Sequence, residues 1–124
     1  MKIKALAAGI LAVPTLVLAQ AQTAPKVEWL QYVEKNMPTA FCAQQMYFRQ
    51  CFTVTVQECE AAASAATRDC ISKHGSGIPA SLRMPDDGRR WGGVIGKCAG
   101  EATEMAMIKK RISNAKCNDP KQWQ

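Results

Sequence analysis

One histidine, His74, occurs in these 124 residues, and no two cysteines stand close together. Zinc sites and dithiol redox centres usually place cysteines two to four positions apart. Steps of 9, 8, 11, 28 and 19 separate Cys42, Cys51, Cys59, Cys70, Cys98 and Cys117, which argues against both chemistries. A lone histidine also leaves a serine or cysteine nucleophile without an evident base. Met84, Met105 and Met107 with His74 make thin support for copper, because methionine is an ordinary core filler. No segment alternates apolar and polar residues as a half-buried strand does, and no repeat is visible. Basic residues exceed acidic ones, but they are scattered, whereas a nucleic-acid binder needs a concentrated basic face.

The first twenty residues, MKIKALAAGILAVPTLVLAQ, carry Lys2 and Lys4, then an apolar run from Ala5 to Ala19 broken only by Pro14 and Thr15. Small residues follow at spacings that suit cleavage, either Val17-Leu18-Ala19 or Ala19-Gln20-Ala21. This is the three-part layout of a secretory signal. At about 15 residues the run falls short of the roughly 20 that span a bilayer. No cysteine follows it until Cys42, so a lipoprotein is not expected. The expectation is a cleaved, bacterial-type signal over 1–21 and a single helical, disulfide-rich domain over 22–124, periplasmic or secreted and without a transmembrane segment. Without Lys2 and Lys4, fourteen of the sixteen Lys and Arg remain against ten Asp and Glu, a mild surplus of +4.

An even number of cysteines in a short exported chain is the signature of a disulfide framework. The core of so small a domain is modest and rich in alanine, so cross-links worth on the order of 3 kcal/mol each matter to it. The rest of the chain reads as helices. Val27, Leu30, Val33 and Met37 recur at helical steps behind Pro25, and Pro38 is expected to end that helix. A second helix is expected over "TAFCAQQMYFRQCF". Thr55 followed by Glu58 is a capping box, placing a helix from Val56 to about His74, with Gly75 as C-cap candidate. Residues 75–88 read as a loop. A last helix is expected from about Arg90 toward Ser113. The fold class is all-α: a small disulfide-stapled bundle of about four helices, including an antiparallel helical hairpin.

Cys59 and Cys70 lie three turns apart on one helical face, roughly 16 Å from each other, beyond the reach of a disulfide. Cys42 and Cys51, if on one helix, point to nearly opposite sides. Two antiparallel helices joined near Thr53 bring Cys51 to Cys59 and Cys42 to Cys70. This arrangement resembles the twin-cysteine helical hairpins of the coiled-coil-helix family, although eight residues lie between Cys42 and Cys51 and ten between Cys59 and Cys70, where that family has nine. No function is implied. Pairing Cys98 with Cys117 meets a geometric objection, since a helix reaching Ser113 ends roughly 22 Å from Cys98. Four further residues return at most about 14 Å.

Gly92, Gly96 and Gly100 stand four apart and form a face that admits a neighbouring helix, expected to be the Ala62, Ala63, Ala66 surface; a homodimer seam is the alternative. Around Pro85-Asp86-Asp87-Gly88, Arg83, Arg89, Arg90 and Trp91 gather residue types that dominate protein interfaces. Arginines in a helix's first turn would oppose its dipole. The bland reading pairs the arginines with Asp86 and Asp87 and sends Trp91 to the core. The run Lys109 to Arg111 suits a helix C-terminus. Carboxylate pairs at Glu58 with Glu60 and Asp86 with Asp87 are already used by the cap and the turn.

The leading expectation is a non-catalytic module, without metal or cofactor, that binds another protein through Arg83, Arg89, Arg90 and Trp91. Periplasmic helical immunity or inhibitor proteins are similar in size, signal and disulfide use, a likeness of class alone. The alternatives are an envelope-structural or stress protein working through scattered positive charge and, behind it, a small hydrolase whose site assembles only in the fold.

Overall fold

The computed structural model describes residues 22–124; the expected signal segment lies outside them. In chain order, strand β1 (Thr23–Pro25) is followed by helices α1 (Lys26–Phe41), α2 (Tyr47–Gln50) and α3 (Val56–His74). Strand β2 (Ser81–Arg83) and helix α4 (Asp86–Ala106) come next, and the chain closes in short 3-10 turns. The two strands pair antiparallel, Ala24 opposite Leu82. This two-stranded ribbon is an addition to the all-α expectation and anchors the chain's lead-in against the loop before α4.

The capping box is present in both halves: Glu58 N–H donates to Thr55 Oγ1 and Thr55 N–H donates to Glu58 Oε2, each at 3.1 Å. It starts α3 at Val56, as the sequence predicts. The hairpin expected about Thr53 does not form; it is α3 and α4 that run antiparallel, since Cys70 bonds Cys98 while Glu58, at the start of α3, reaches Lys110 beyond the end of α4. α1 packs chiefly on α3. One core holds Trp29, Val33, Ala66, Ile78, Leu82, Ile95 and Ala99 between these elements. A second gathers Phe48, Phe52, Ala63 and Met107 around two disulfides. Thr67 and Thr103 are fully buried, and each satisfies its hydroxyl on the carbonyl four residues back, Ala63 and Ala99, at 2.7 Å.

All six cysteines are paired, but not as the hairpin geometry suggested. The bonds are Cys42–Cys59, Cys51–Cys117 and Cys70–Cys98. Pro38 does not end α1; the helix runs on to Phe41 with Pro38 buried inside it. The chain then turns through 42–46, and only one helical turn, α2, follows. With no helix joining them, Cys42 and Cys51 are free to diverge. Cys42 meets the first turn of α3, and Cys51 meets the C-terminal tail. The doubted Cys98–Cys117 bond is not made.

The bounds of α4 differ from expectation at both ends. It starts at Asp86, so Asp86 and Asp87 occupy the first turn, where negative charge suits the dipole, and Arg89 and Arg90 come after them. It stops at Ala106, because the chain turns through Ile108–Lys110 and sets Arg111 opposite Phe52 in a β-bridge. Thr53 N–H donates to Lys110 O, and Ile112 N–H donates to Cys51 O, both at 2.8 Å. Gly75 follows α3 with right-handed dihedrals (φ −59°, ψ −34°), so it makes no left-handed cap.

Candidate partner-binding surface

The glycine face of α4 does not pack on the alanines of α3. It meets α1: a Cβ placed on Gly92, Gly96 or Gly100 would lie 4.0 Å from Trp29, 3.9 Å from Met37 or 3.9 Å from Phe41. Ala63 and Ala66 are instead buried inside the two cores, and Ala62 lies beside Met105. The seam proposed for a second copy thus carries α1 of the same chain. Glycines fill little volume, so α1 and α4 leave an open groove between them. It forms a hollow of about 330 Å³ running along α1 from Trp29 past Tyr32 and Met37 to Phe41, with Gly88 and Gly92 on its α4 side. A second hollow of about 380 Å³ continues on the far side of Trp29 and Tyr32, toward Ala24, Glu28 and Met84.

Trp29 is the pivot of this groove. Its side chain is 7 % exposed and belongs to the core, yet it lines both hollows. Its indole Nε1 lies 3.6 Å from the position a Gly88 Cβ would take. Trp123 Nε1 donates to Lys116 O at 3.1 Å. Trp29 Nε1 is not a buried unpaired donor; among the described residues that description applies to Arg49 Nε. Nothing in the sequence alone assigned Trp29 a role; the available signal was the glycines spaced by four, which leave room opposite whatever helix they meet. Tyr32 stands beside it, 66 % exposed.

The four residues picked from sequence divide. Arg83 is committed: its N–H donates to Asp87 Oδ2 at 2.7 Å and its Nε to the same oxygen at 3.3 Å. These two bonds hold the Asp87 carboxyl below the usual carboxylate range, the backbone bond counting most. Trp91 is half-buried and packs against the core, its ring 3.1 Å from where a Gly77 Cβ would stand, while the Arg90 guanidinium lies 5.7 Å over it. Arg89 and Arg90 are exposed and form no ion pair among the described residues. Successive residues turn by about 100° around a helix. Arg89, next to Gly88 and three before Gly92, therefore flanks the groove, whereas Arg90 faces away from it.

Elsewhere, Glu58 is held below the usual range first by the Thr55 backbone bond and then by Lys110 at 3.3 Å. A polar cluster that the sequence did not signal joins Tyr47, Glu104 and Arg111. Tyr47 OH donates to Glu104 Oε1 at 3.0 Å, and Arg111 Nε donates to Tyr47 OH at 3.1 Å. The Arg111 fork also donates to Asn118 Oδ1 and Cys117 O, so the cluster clasps the tail. A hollow of about 490 Å³ on the other flank of α4 has His74, Lys73 and Met105 on its walls. Met84 lies on the α1 side and Met107 in the second core, so the methionines do not converge with His74. Among the described residues no three His, Cys, Asp or Glu side chains gather as a metal would require. No described helix is long and apolar enough to cross a membrane.

No curated protein and no solved structure matches the chain. Residues 23–111 match the family described as "T2SS substrate NttA", a span that takes in both strands, all four helices and five of the six cysteines, and stops where the tail begins. The chain belongs to this NttA family of type II secretion substrates and is an exported protein.

Proposed function

We propose that this exported protein works by binding another protein, through the N-terminal half of α4 and the groove it forms with α1, without catalysing a reaction. The observation that carries the reading is the contrast among the arginines. Arg83 is held by Asp87, whereas Arg89 and Arg90 stand exposed with no ion pair among the described residues, and Arg89 flanks a groove lined by Trp29 and Tyr32. Arginine next to aromatic side chains is the composition of interface hot spots. Three disulfides support the same reading, because a rigid surface loses little conformational freedom on binding. The family's description as secretion substrates supports action beyond the periplasm after removal of 1–21. N-terminal sequencing of the protein recovered from medium checks both points.

The test is capture of partners by the oxidised protein under non-reducing conditions, in parallel with an Arg89→Glu/Arg90→Glu variant of the same thermal stability. A one-to-one complex formed by the wild type and lost in the variant is the expected result. Equal recovery by both proteins removes this surface from the account. Adsorption that collapses as salt rises, with no stoichiometric partner, would favour the envelope-surface alternative.

A further inference from the structure

We infer that the C-terminal end of the molecule, from Met105 to Gln124, docks on an anionic lipid bilayer. This surface is separate from the one at Arg89 and Arg90 and does not depend on it. Basic residues occur along the whole chain, but their surplus does not. Residues 22–106 hold nine Lys and Arg against nine Asp and Glu and are neutral. Residues 107–124 hold Lys109, Lys110, Arg111, Lys116 and Lys121 against Asp119 alone, so the whole surplus of +4 lies there. The fold keeps this segment together at one end. The Cys51–Cys117 bond, the Ile112 N–H on Cys51 O and the Arg111 fork on Asn118 and Cys117 hold the tail close to the segment that leaves α4.

The apolar content of the same end fits a bilayer better than a soluble polyanion. Among the described residues six large apolar side chains stand exposed, and Met105, Ile108 and Ile112 are three of them. Met105 and Ile108 line an open hollow of about 450 Å³ together with Lys109 and Lys110. Arg111 turns in toward the tail, so alternation about its β-bridge sets Lys110 and Ile112 on the other side, and both are exposed. Lys109, Lys116 and Lys121 form no ion pair among the described residues. Of the acids here, Glu58 pairs with Lys110, Glu104 lies 3.8 Å from Arg111, and Asp119 accepts the Lys121 backbone N–H. Glu101, one turn before Met105, is the remaining negative charge. Lysines at an anionic headgroup layer and apolar side chains entering its acyl boundary are the two signals that surface anchoring needs. Each lysine held at such a surface strengthens partitioning roughly fivefold.

The test is co-sedimentation of the oxidised protein with vesicles of phosphatidylcholine, with and without phosphatidylglycerol. Binding to the anionic vesicles that weakens as salt rises, with none to phosphatidylcholine alone, is the expected result. Lys109→Gln/Lys116→Gln/Lys121→Gln should bind more weakly by roughly tenfold or more. Lys35→Gln/Arg68→Gln/Lys73→Gln removes the same charge from exposed positions of the neutral body and should stay within about twofold of wild type. Ile108→Ser/Ile112→Ser leaves the charge untouched and should lose roughly fivefold or more. Each variant is checked for its three disulfides by intact mass and for an unchanged Tm. No binding to the anionic vesicles overturns the proposal, and so does equal weakening by the two charge variants, which would trace binding to net charge alone. If Ile108→Ser/Ile112→Ser binds as wild type does, this end takes soluble polyanions and the bilayer assignment falls.

Discussion

Replacing Cys51 and Cys117 together by alanine opens the bond that ties the tail to the turn after α2. The three bridges span 17, 28 and 66 residues, for which the chain-entropy relation gives roughly 3, 3.6 and 4.4 kcal/mol respectively. The Cys51–Cys117 bond is the largest because it restricts the longest stretch of unfolded chain. It does not act alone: the Arg111 fork on Cys117 O and Asn118, and the Ile112 N–H bond to Cys51 O, make the tail part of one cooperative unit. A domain of this size is stable by about 5–15 kcal/mol, so the double variant loses a large share of its margin. Its Tm should fall by roughly 15–30 °C. Urea unfolding followed by tryptophan fluorescence and far-UV circular dichroism measures the loss, and the m-value should rise as the unfolded chain expands. A loss under about 1 kcal/mol, with only a fluorescence change from Trp123, would mean that the tail frays by itself and would refute the loop-closure reasoning. A greater loss from opening Cys42–Cys59 would refute it as well.

Three further outcomes follow from the same geometry. Thr55→Ala removes the side-chain half of the α3 capping box and should cost about 1 kcal/mol in thermal or urea unfolding, with Thr55→Ser restoring most of it. Ile95→Ala empties a fully buried site facing α1 and α3 and should cost about 2–5 kcal/mol, enough for Tm to register plainly. Asp87 and Glu58 titrate below their usual range when folded, so each adds stability that is present above its unfolded pKa and lost as pH falls through its folded one. Tm should therefore drop on acidification below about pH 4, and Asp87→Asn with Glu58→Gln should flatten that drop.

Local signals survived into the fold, and long-range pairings did not. Thr55 and Glu58 specify the start of α3 within four residues of chain, and no tertiary contact is needed to read them. The even cysteine count announced full oxidation, because it depends on compartment and domain size and not on geometry. The pairing went wrong at Pro38. Proline inside a helix costs roughly 3 kcal/mol by propensity, yet burial of Pro38 and Phe41 against the cores carries α1 past it. Once α1 absorbs residues 38–41, too little chain remains for a second long helix, and the hairpin built on Cys42 and Cys51 disappears. The glycine face was legible as a close-approach surface, but its partner was not, since Ala62, Ala63 and Ala66 and the side chains of α1 offer equally apolar faces. Arg89 stood out by residue type. Trp29 did not, because a tryptophan at a core position gives no sign that its ring also lines a surface groove.

The proposed partner surface is the outside of a stapled helical body, at Arg89, Arg90 and the α1–α4 groove. The most direct measurement is the Kd of the purified one-to-one complex for wild type and for Arg89→Ala/Arg90→Ala, taken by calorimetry on fully oxidised protein. Two hot-spot arginines at more than 1 kcal/mol each predict a weakening of at least about 30-fold with Tm unchanged. An unaltered Kd, with Tm likewise unchanged, would contradict it.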